Sequence, residues 1–171
     1  ADELRSISGQ NNVTAVGLRL GASLALMASE SAKLKKIILW DPVVSGENYL
    51  QNIKQLHQQL LDNKNSWFMS PLHANESAKN EWVGYQYSDT FLTSLTHLNL
   101  ISQSLPKRLR VKLLSTQSSA ELNSLNEKYT TEIKNFSHFE IEDVGDWENI
   151  MKIDSALLPH GVIKKIVEEL S

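Results

Sequence analysis

The sequence contains no cysteine, which excludes a disulfide framework, a thiolate nucleophile and a metal site built on cysteine ligands. No apolar run approaches the roughly 20 residues that a membrane-spanning helix needs. The amino end, ADELRSISGQ, is polar where a signal peptide would be apolar. We therefore expect a cytoplasmic protein that does not enter a membrane.

An excess of positive charge is also absent. Seventeen basic residues stand against 20 acidic ones, the formal net charge is −3, and the basic residues are spread along the chain without forming a stripe. Nucleic-acid binding is excluded on this ground. With 41% hydrophobic residues, the 171-residue chain can form one globular domain with a substantial core.

The apolar pattern predicts alternating strands and helices, and thus the α/β class with a parallel sheet of about four strands and flanking helices. The predicted strands are Val13–Gly17, Lys35–Trp40, Leu109–Ser115 and Phe136–Val144. The predicted helices are Gly21–Ala32, with apolar residues all round, Tyr49–Leu61, one from Ser88 or Asp89, one opened by a Ser118–Glu121 capping box, and one from Pro159 to Leu170.

The segment 47–106 is longer than a simple strand-to-strand crossover, and it is predicted to be a cap-like α-helical insertion within a single domain of residues 1–171. Its central part, 63–87, has no clean period and is predicted to be irregular. The aromatic residues there either form the small core of the cap or line an apolar pocket. They are Trp67, Phe68, Trp82, Tyr85 and Tyr87.

The segment Val13-Thr-Ala-Val-Gly17-Leu18-Arg19-Leu20-Gly21 resembles the nucleophile elbow, G-x-S-x-G, of the α/β-hydrolase fold. The pairing of GLRLGA with the later LWDPVVSG is similar to bacterial serine-aminopeptidase-like hydrolases, in particular exosortase-associated hydrolases. The resemblance implies that the chain is the second half of such a fold. The first half, with the usual oxyanion-hole loop, would then lie outside the given sequence.

Arg19 occupies the central position of this motif, where the family has its serine. A guanidinium stays protonated and has no lone pair with which to attack a carbonyl, so Arg19 cannot act as the nucleophile. We expect small residues on both sides of it, since the elbow is a strained turn that larger side chains would obstruct. The expected result is an inactive or atypical relative of esterases and serine aminopeptidases.

The other members of a catalytic triad are not recognisable either. The resemblance implies an acid after the third strand, but Ser115–Ala120 contains no carboxylate and Glu121 is explained by helix capping. It implies a histidine after the fourth strand, but Val144–Trp147 contains none, which leaves His160 as the one weak catalytic candidate. Ser23 is expected inside a helix, where its hydroxyl does not face a cleft.

No metal or cofactor is expected from the sequence. The remaining histidines show no metal-ligand spacing and are expected in surface or packing positions. They are His57, His73, His97 and His138.

Three roles remain open for the elbow. Arg19 could pair with Asp41 or Asp146 and hold the loops together. Arg19, with the backbone of Leu18 and Leu20 and with Asp41 at the same sheet edge, could bind a small anionic ligand. Alternatively, His160 could activate water and maintain hydrolysis by another route.

Right-handed crossovers between four consecutive strands place every connecting segment on one face of the sheet. Only the last helix then covers the other face, and the first strand is an edge. We expect apolar side chains to be exposed there and the protein to form a homodimer, or to bind a partner, through this face or edge.

Overall fold

The computed structural model describes residues 1–62, 80–143, 147 and 159–171. The six helices of the described residues are α1 (Asp2–Ser8), α2 (Leu20–Met27), α3 (Gly46–Asp62), α4 (Asp89–Thr96), α5 (Ala120–Glu132) and α6 (His160–Leu170). Their six strands are β1 (Thr14–Leu18), β2 (Lys36–Trp40), β3 (Glu81–Trp82), β4 (Tyr85–Gln86), β5 (Arg110–Ser115) and β6 (Phe136–Glu140). None of these helices is both long and apolar enough to cross a lipid bilayer.

Four strands form one parallel sheet in the order β1-β2-β5-β6. The centre of β2, Ile37-Ile38-Leu39, is apolar on both faces and fully buried. Such continuous apolar runs are typical of parallel strands that are covered on two sides. The predicted α/β class, the four strands and the βαβ unit made by β1, α2 and β2 are confirmed.

Helices α2 and α5 pack on one face of the sheet, and α6 packs on the other. On the first face Gly17 lies against Ala22 of α2, and Phe136 meets the ring of Tyr129 of α5 edge to face at 5.8 Å. On the second face Val162 of α6 joins Ile38 and Leu114 in a buried cluster. The closing helix therefore covers part of this second face, as expected.

The second face leaves apolar side chains in contact with solvent at the edge strand. Val16 and Leu18 of β1 are 46% and 40% exposed. The expected exposure is therefore confirmed at β1. Helix α2 differs from expectation: Leu24 and Met27 are exposed, so this helix is not buried all round.

Several element ends differ from the predicted ones. Helix α2 ends at Met27 rather than Ala32, and β6 ends at Glu140. The N-cap of α5 is Ser119, whose hydroxyl accepts from the Leu122 N–H, so the predicted box from Ser118 to Glu121 is wrong by one residue. Pro159 is the N-cap of α6 rather than its first residue.

The described residues fall into two compact units, one of 1–44, 99–143 and 159–171, and one of 45–62, 80–98 and Trp147. The insertion 47–106 stays a prediction, and its last residues, 99–106, belong to the first unit. Within the second unit Trp82 stacks on Tyr87 at 5.5 Å and Tyr87 on Phe91 at 5.8 Å, whereas Tyr85 is 69% exposed and belongs to no core. Trp67, Phe68 and His73 lie outside the described residues.

Candidate functional site

The carboxyl ends of the four parallel strands lie along one edge of the sheet, where open α/β sheets bind their ligands. Backbone hydrogen bonds continue just past these ends. The N–H of Arg19 donates to Trp40 O, that of Asp41 to Leu114 O, and that of Ile141 to Ser115 O, each at 2.9 Å. The first residues after the strands are thus fixed relative to one another.

Arg19 stands at the junction of β1 and α2 with φ 50° and ψ −125°. Residues other than glycine rarely adopt this backbone conformation, which costs on the order of 1–3 kcal/mol. Gly17 permits the junction, because a Cβ there would lie 2.4 Å from the Ala22 Cα. The expected need for small residues is therefore right for Gly17 but not for Gly21, where a Cβ would meet no atom within 4 Å.

The guanidinium of Arg19 reaches across the ends of two strands. Its Nη1 donates to the backbone carbonyl oxygen of Asp41 at 3.4 Å, and the side chain is half-buried. Leu18 is exposed and Leu20 is half-buried, so the proposed ligand-binding positions on either side of Arg19 reach the surface.

Asp41 is 1% exposed and has a positive φ of 41°. Its carboxylate accepts a hydrogen bond from the Thr116 N–H at 2.8 Å and another from the Thr116 hydroxyl. A buried carboxylate requires such partners, because an unpaired charge is costly in the protein interior. Asp41 therefore ties the loop after β2 to the loop after β5. Asp146, the other suggested partner of Arg19, lies outside the described residues.

Ser23 and His160 have structural surroundings. The Ser23 side chain is fully buried, and its hydroxyl donates to Val43 O at 2.7 Å. His160 is exposed on the first residue of α6. The carboxylate of Asp143 accepts from the N–H groups of Gly161 and Val162 at 2.7 and 3.2 Å, so it serves as the cap that Pro159 cannot provide.

A hydroxyl–imidazole pair lies at the same edge, and sequence reasoning missed it. The Oγ atom of Ser115 is 2.8 Å from Nε2 of His138, and both residues line a cleft of about 360 Å³ between the ends of β5 and β6 and the start of α5. Burial lowers the pKa of His138, and the Glu140 carboxylate opposes this only in part. A pKa below the ordinary 6.5 keeps His138 mainly neutral at pH 7.

No signal along the sequence brings Ser115 and His138 together, because 23 residues separate them. Their proximity arises from the register of β5 and β6, which pairs Leu113 with His138 and Ser115 with Glu140. The side chains of Ser115, His138 and Glu140 consequently share one face of the sheet. The expected surface or packing role of His138 is replaced by a position in a cleft.

The two other described histidines are outside this cleft. Nδ1 of His57 accepts from the Val83 N–H at 3.1 Å, and His97 is exposed with its Nδ1 2.6 Å from Thr93 O. Within the described residues no three acidic or histidine side chains form a group suited to a metal ion.

No family model matches this chain, and no curated protein matches it closely enough to count as a relative.

Proposed function

We propose that this chain is an α/β-hydrolase-like domain, related to esterases and serine aminopeptidases, that has lost serine catalysis at its elbow. The observation that carries the proposal is the conformation of Arg19, with φ 50° and ψ −125° between β1 and α2. A strained strand-to-helix junction is the place where that fold presents its nucleophile. Here it presents a guanidinium, which has no lone pair to donate.

Neither candidate for taking over the lost role has the right surroundings. The Ser23 hydroxyl already donates to Val43 O and is fully buried. His160 is exposed at the start of α6. The neighbouring N–H groups of Gly161 and Val162 donate to the Asp143 carboxylate, which caps the helix. The elbow thus has no substitute for the lost nucleophile.

The test is a panel of esters and amides assayed with the wild-type protein and with Arg19→Ala. Any turnover is expected to be the same in both, because Arg19 supplies no electron pair to the substrate. Turnover that falls steeply in Arg19→Ala, with the thermal midpoint unchanged, contradicts the proposal. Arg108→Ala, which removes an exposed arginine from a loop, is the control for charge.

A second role, anion binding at the same junction, is favoured by the half-buried position of the Arg19 guanidinium over the ends of β1 and β2. Helix α2 begins immediately after Arg19, and its positive dipole end would add to the attraction. Acetate, citrate and phosphate should then raise the thermal midpoint of wild-type protein and of Arg108→Ala, but not that of Arg19→Ala. Equal shifts in all three proteins exclude this role.

Association through β1 is the third part of the proposal. Val16 and Leu18 are exposed on the edge strand, and an edge with apolar side chains favours pairing with another strand. We expect a homodimer, or a bound partner, at micromolar concentration in sedimentation equilibrium. Val16→Lys should be more monomeric than the wild-type protein, whereas a monomeric wild-type protein rules the homodimer out.

A further inference from the structure

The cleft beside β5 and β6 holds a nucleophile and a base in contact, apart from the elbow. Ser115 is 5% exposed, and its hydroxyl meets Nε2 of His138 at 2.8 Å. A serine hydroxyl becomes a nucleophile when a neutral imidazole within hydrogen-bond reach can accept its proton. With the ring proton on Nδ1, Nε2 of His138 is that acceptor.

The surrounding structure fixes the Ser115 backbone. Thr116, the next residue, is held through its N–H and its hydroxyl by the buried carboxylate of Asp41. On the other side, Ser115 O accepts from the Ile141 N–H at 2.9 Å. Asp41 therefore acts as a positioning residue for Ser115, and the pair does not depend on a mobile loop end.

The lining of the cleft indicates what it can bind. The amino end of α5, with Ser118 and Leu122 in the lining, borders it, and the positive end of that helix dipole favours a developing oxyanion. Glu140 and Glu142 also line the cleft and disfavour anionic substrates. A volume of about 360 Å³ suits a small molecule.

We propose that Ser115 and His138 form a nucleophile–base pair that hydrolyses small neutral or cationic esters. Nε2 of His138 takes the Ser115 proton as Oγ bonds to the ester carbonyl carbon. The bond to the leaving alcohol then breaks, and His138 gives its proton to the alcohol oxygen. A water molecule, deprotonated by His138, next attacks the acyl group, and the Ser115 oxygen leaves with the returned proton. The reaction consumes ester and water and yields acid and alcohol.

The first test treats the intact chain with an alkyl phosphonofluoridate, which forms an Oγ–phosphorus bond with an activated serine and releases fluoride. Ser115 is expected to be the labelled residue by peptide mass spectrometry, with a rate that rises with pH and levels off once His138 is neutral. His138→Gln should slow labelling by about 100-fold or more, the usual contribution of a general base. Ser124→Ala, which removes an exposed hydroxyl of α5 outside the cleft, should leave the rate unchanged.

Absence of label on Ser115 in the folded wild-type protein overturns the proposal, as does an equal rate in folded His138→Gln. Because labelling is mapped to a residue, this outcome is separate from the fate of the elbow: Arg19→Ala keeps the label on Ser115 whether or not the elbow proposal holds.

A second test uses the absence of natural cysteine, since Ser115→Cys and Ser118→Cys each carry a single thiol. Ser115 is buried and Ser118 is exposed, so access alone favours Ser118→Cys. We expect iodoacetamide at pH 7 to alkylate Ser115→Cys faster, because His138 promotes thiolate formation. Faster alkylation of Ser118→Cys contradicts a nucleophile–base pair. This test applies even if the phosphonofluoridate is too large to enter the cleft.

Discussion

The carboxylate of Asp41 accepts two hydrogen bonds from Thr116, one from its N–H at 2.8 Å and one from its hydroxyl, although 75 residues separate the two. Asp41 is 1% exposed, so this contact fixes the loops after β2 and β5 without competition from water. The same contact limits the movement of Ser115 and of the Asp41 carbonyl, which accepts a hydrogen bond from Arg19. The sheet edge is therefore organised around a buried charge.

Asp41→Ala is expected to lower the free energy of unfolding by about 3 kcal/mol, because hydrogen bonds to a buried charged acceptor are lost. Asp41→Asn keeps one acceptor oxygen and suits the positive φ of this position, so it should cost roughly 1–2 kcal/mol. Urea unfolding of the two variants measures the difference. If both variants lose the same free energy of unfolding, packing rather than the carboxylate charge accounts for the contribution of Asp41.

The glycines on either side of Arg19 give a matched pair of substitutions. Gly17→Ala places a methyl 2.4 Å from a backbone atom of α2, and overpacking of this kind costs about 1–3 kcal/mol. Gly21→Ala meets no atom within 4 Å and lies inside α2, where alanine is favoured by up to about 1 kcal/mol. Thermal melts should therefore shift in opposite directions. Similar losses in both variants contradict the described junction.

Three lysines surround Glu169 on the face covered by α6. Its carboxylate lies 3.1 Å from Lys165, 3.3 Å from Lys112 and 3.7 Å from Lys36. Burial alone would raise the pKa of Glu169, but hydrogen bonds and charges from Lys165 and Lys112 outweigh it, and the pKa lies below the ordinary 4.5. The contact joins the closing helix to the sheet.

Glu169→Gln is expected to lower the free energy of unfolding by about 1–3 kcal/mol at pH 7, since it leaves partly buried lysines without their counter-charge. A lowered pKa adds stability that is present above the unfolded value of 4.5 and is lost as pH falls through the folded value. The difference in the free energy of unfolding between wild type and Glu169→Gln should therefore narrow below pH 4.5. Glu168→Gln removes a half-exposed partner of Lys165 and is the control, with an expected cost of under about 1 kcal/mol. A gap that stays constant with pH contradicts the assigned ion pairs.

The strands could be predicted because short apolar runs rich in β-branched residues, such as Ile37-Ile38-Leu39, are fully buried and have no competing helical period. The position of Arg19 at a strand-to-helix junction could also be predicted, since Gly17 marks a close backbone approach. The strands and the junction at Arg19 are both determined by residues that lie close together in the sequence.

The pair of Ser115 and His138 could not be predicted in this way, because strand register brings them together from positions 23 residues apart. The same holds for Glu169 and Lys36, which meet across 133 residues. The cap of α5 was displaced by one residue because adjacent serines, Ser118 and Ser119, have the same local preference. In the structure the Ser119 hydroxyl is the one that accepts from the Leu122 N–H.

The central claim, that the elbow carries no nucleophile, is tested most directly by the tryptic peptide 20–33, which follows Arg19 and contains Ser23. The folded wild-type protein is treated with an excess of phosphonofluoridate, digested and analysed by mass spectrometry. We predict that peptide 20–33 is recovered without a phosphonyl group. A stoichiometric adduct on Ser23 would contradict the claim.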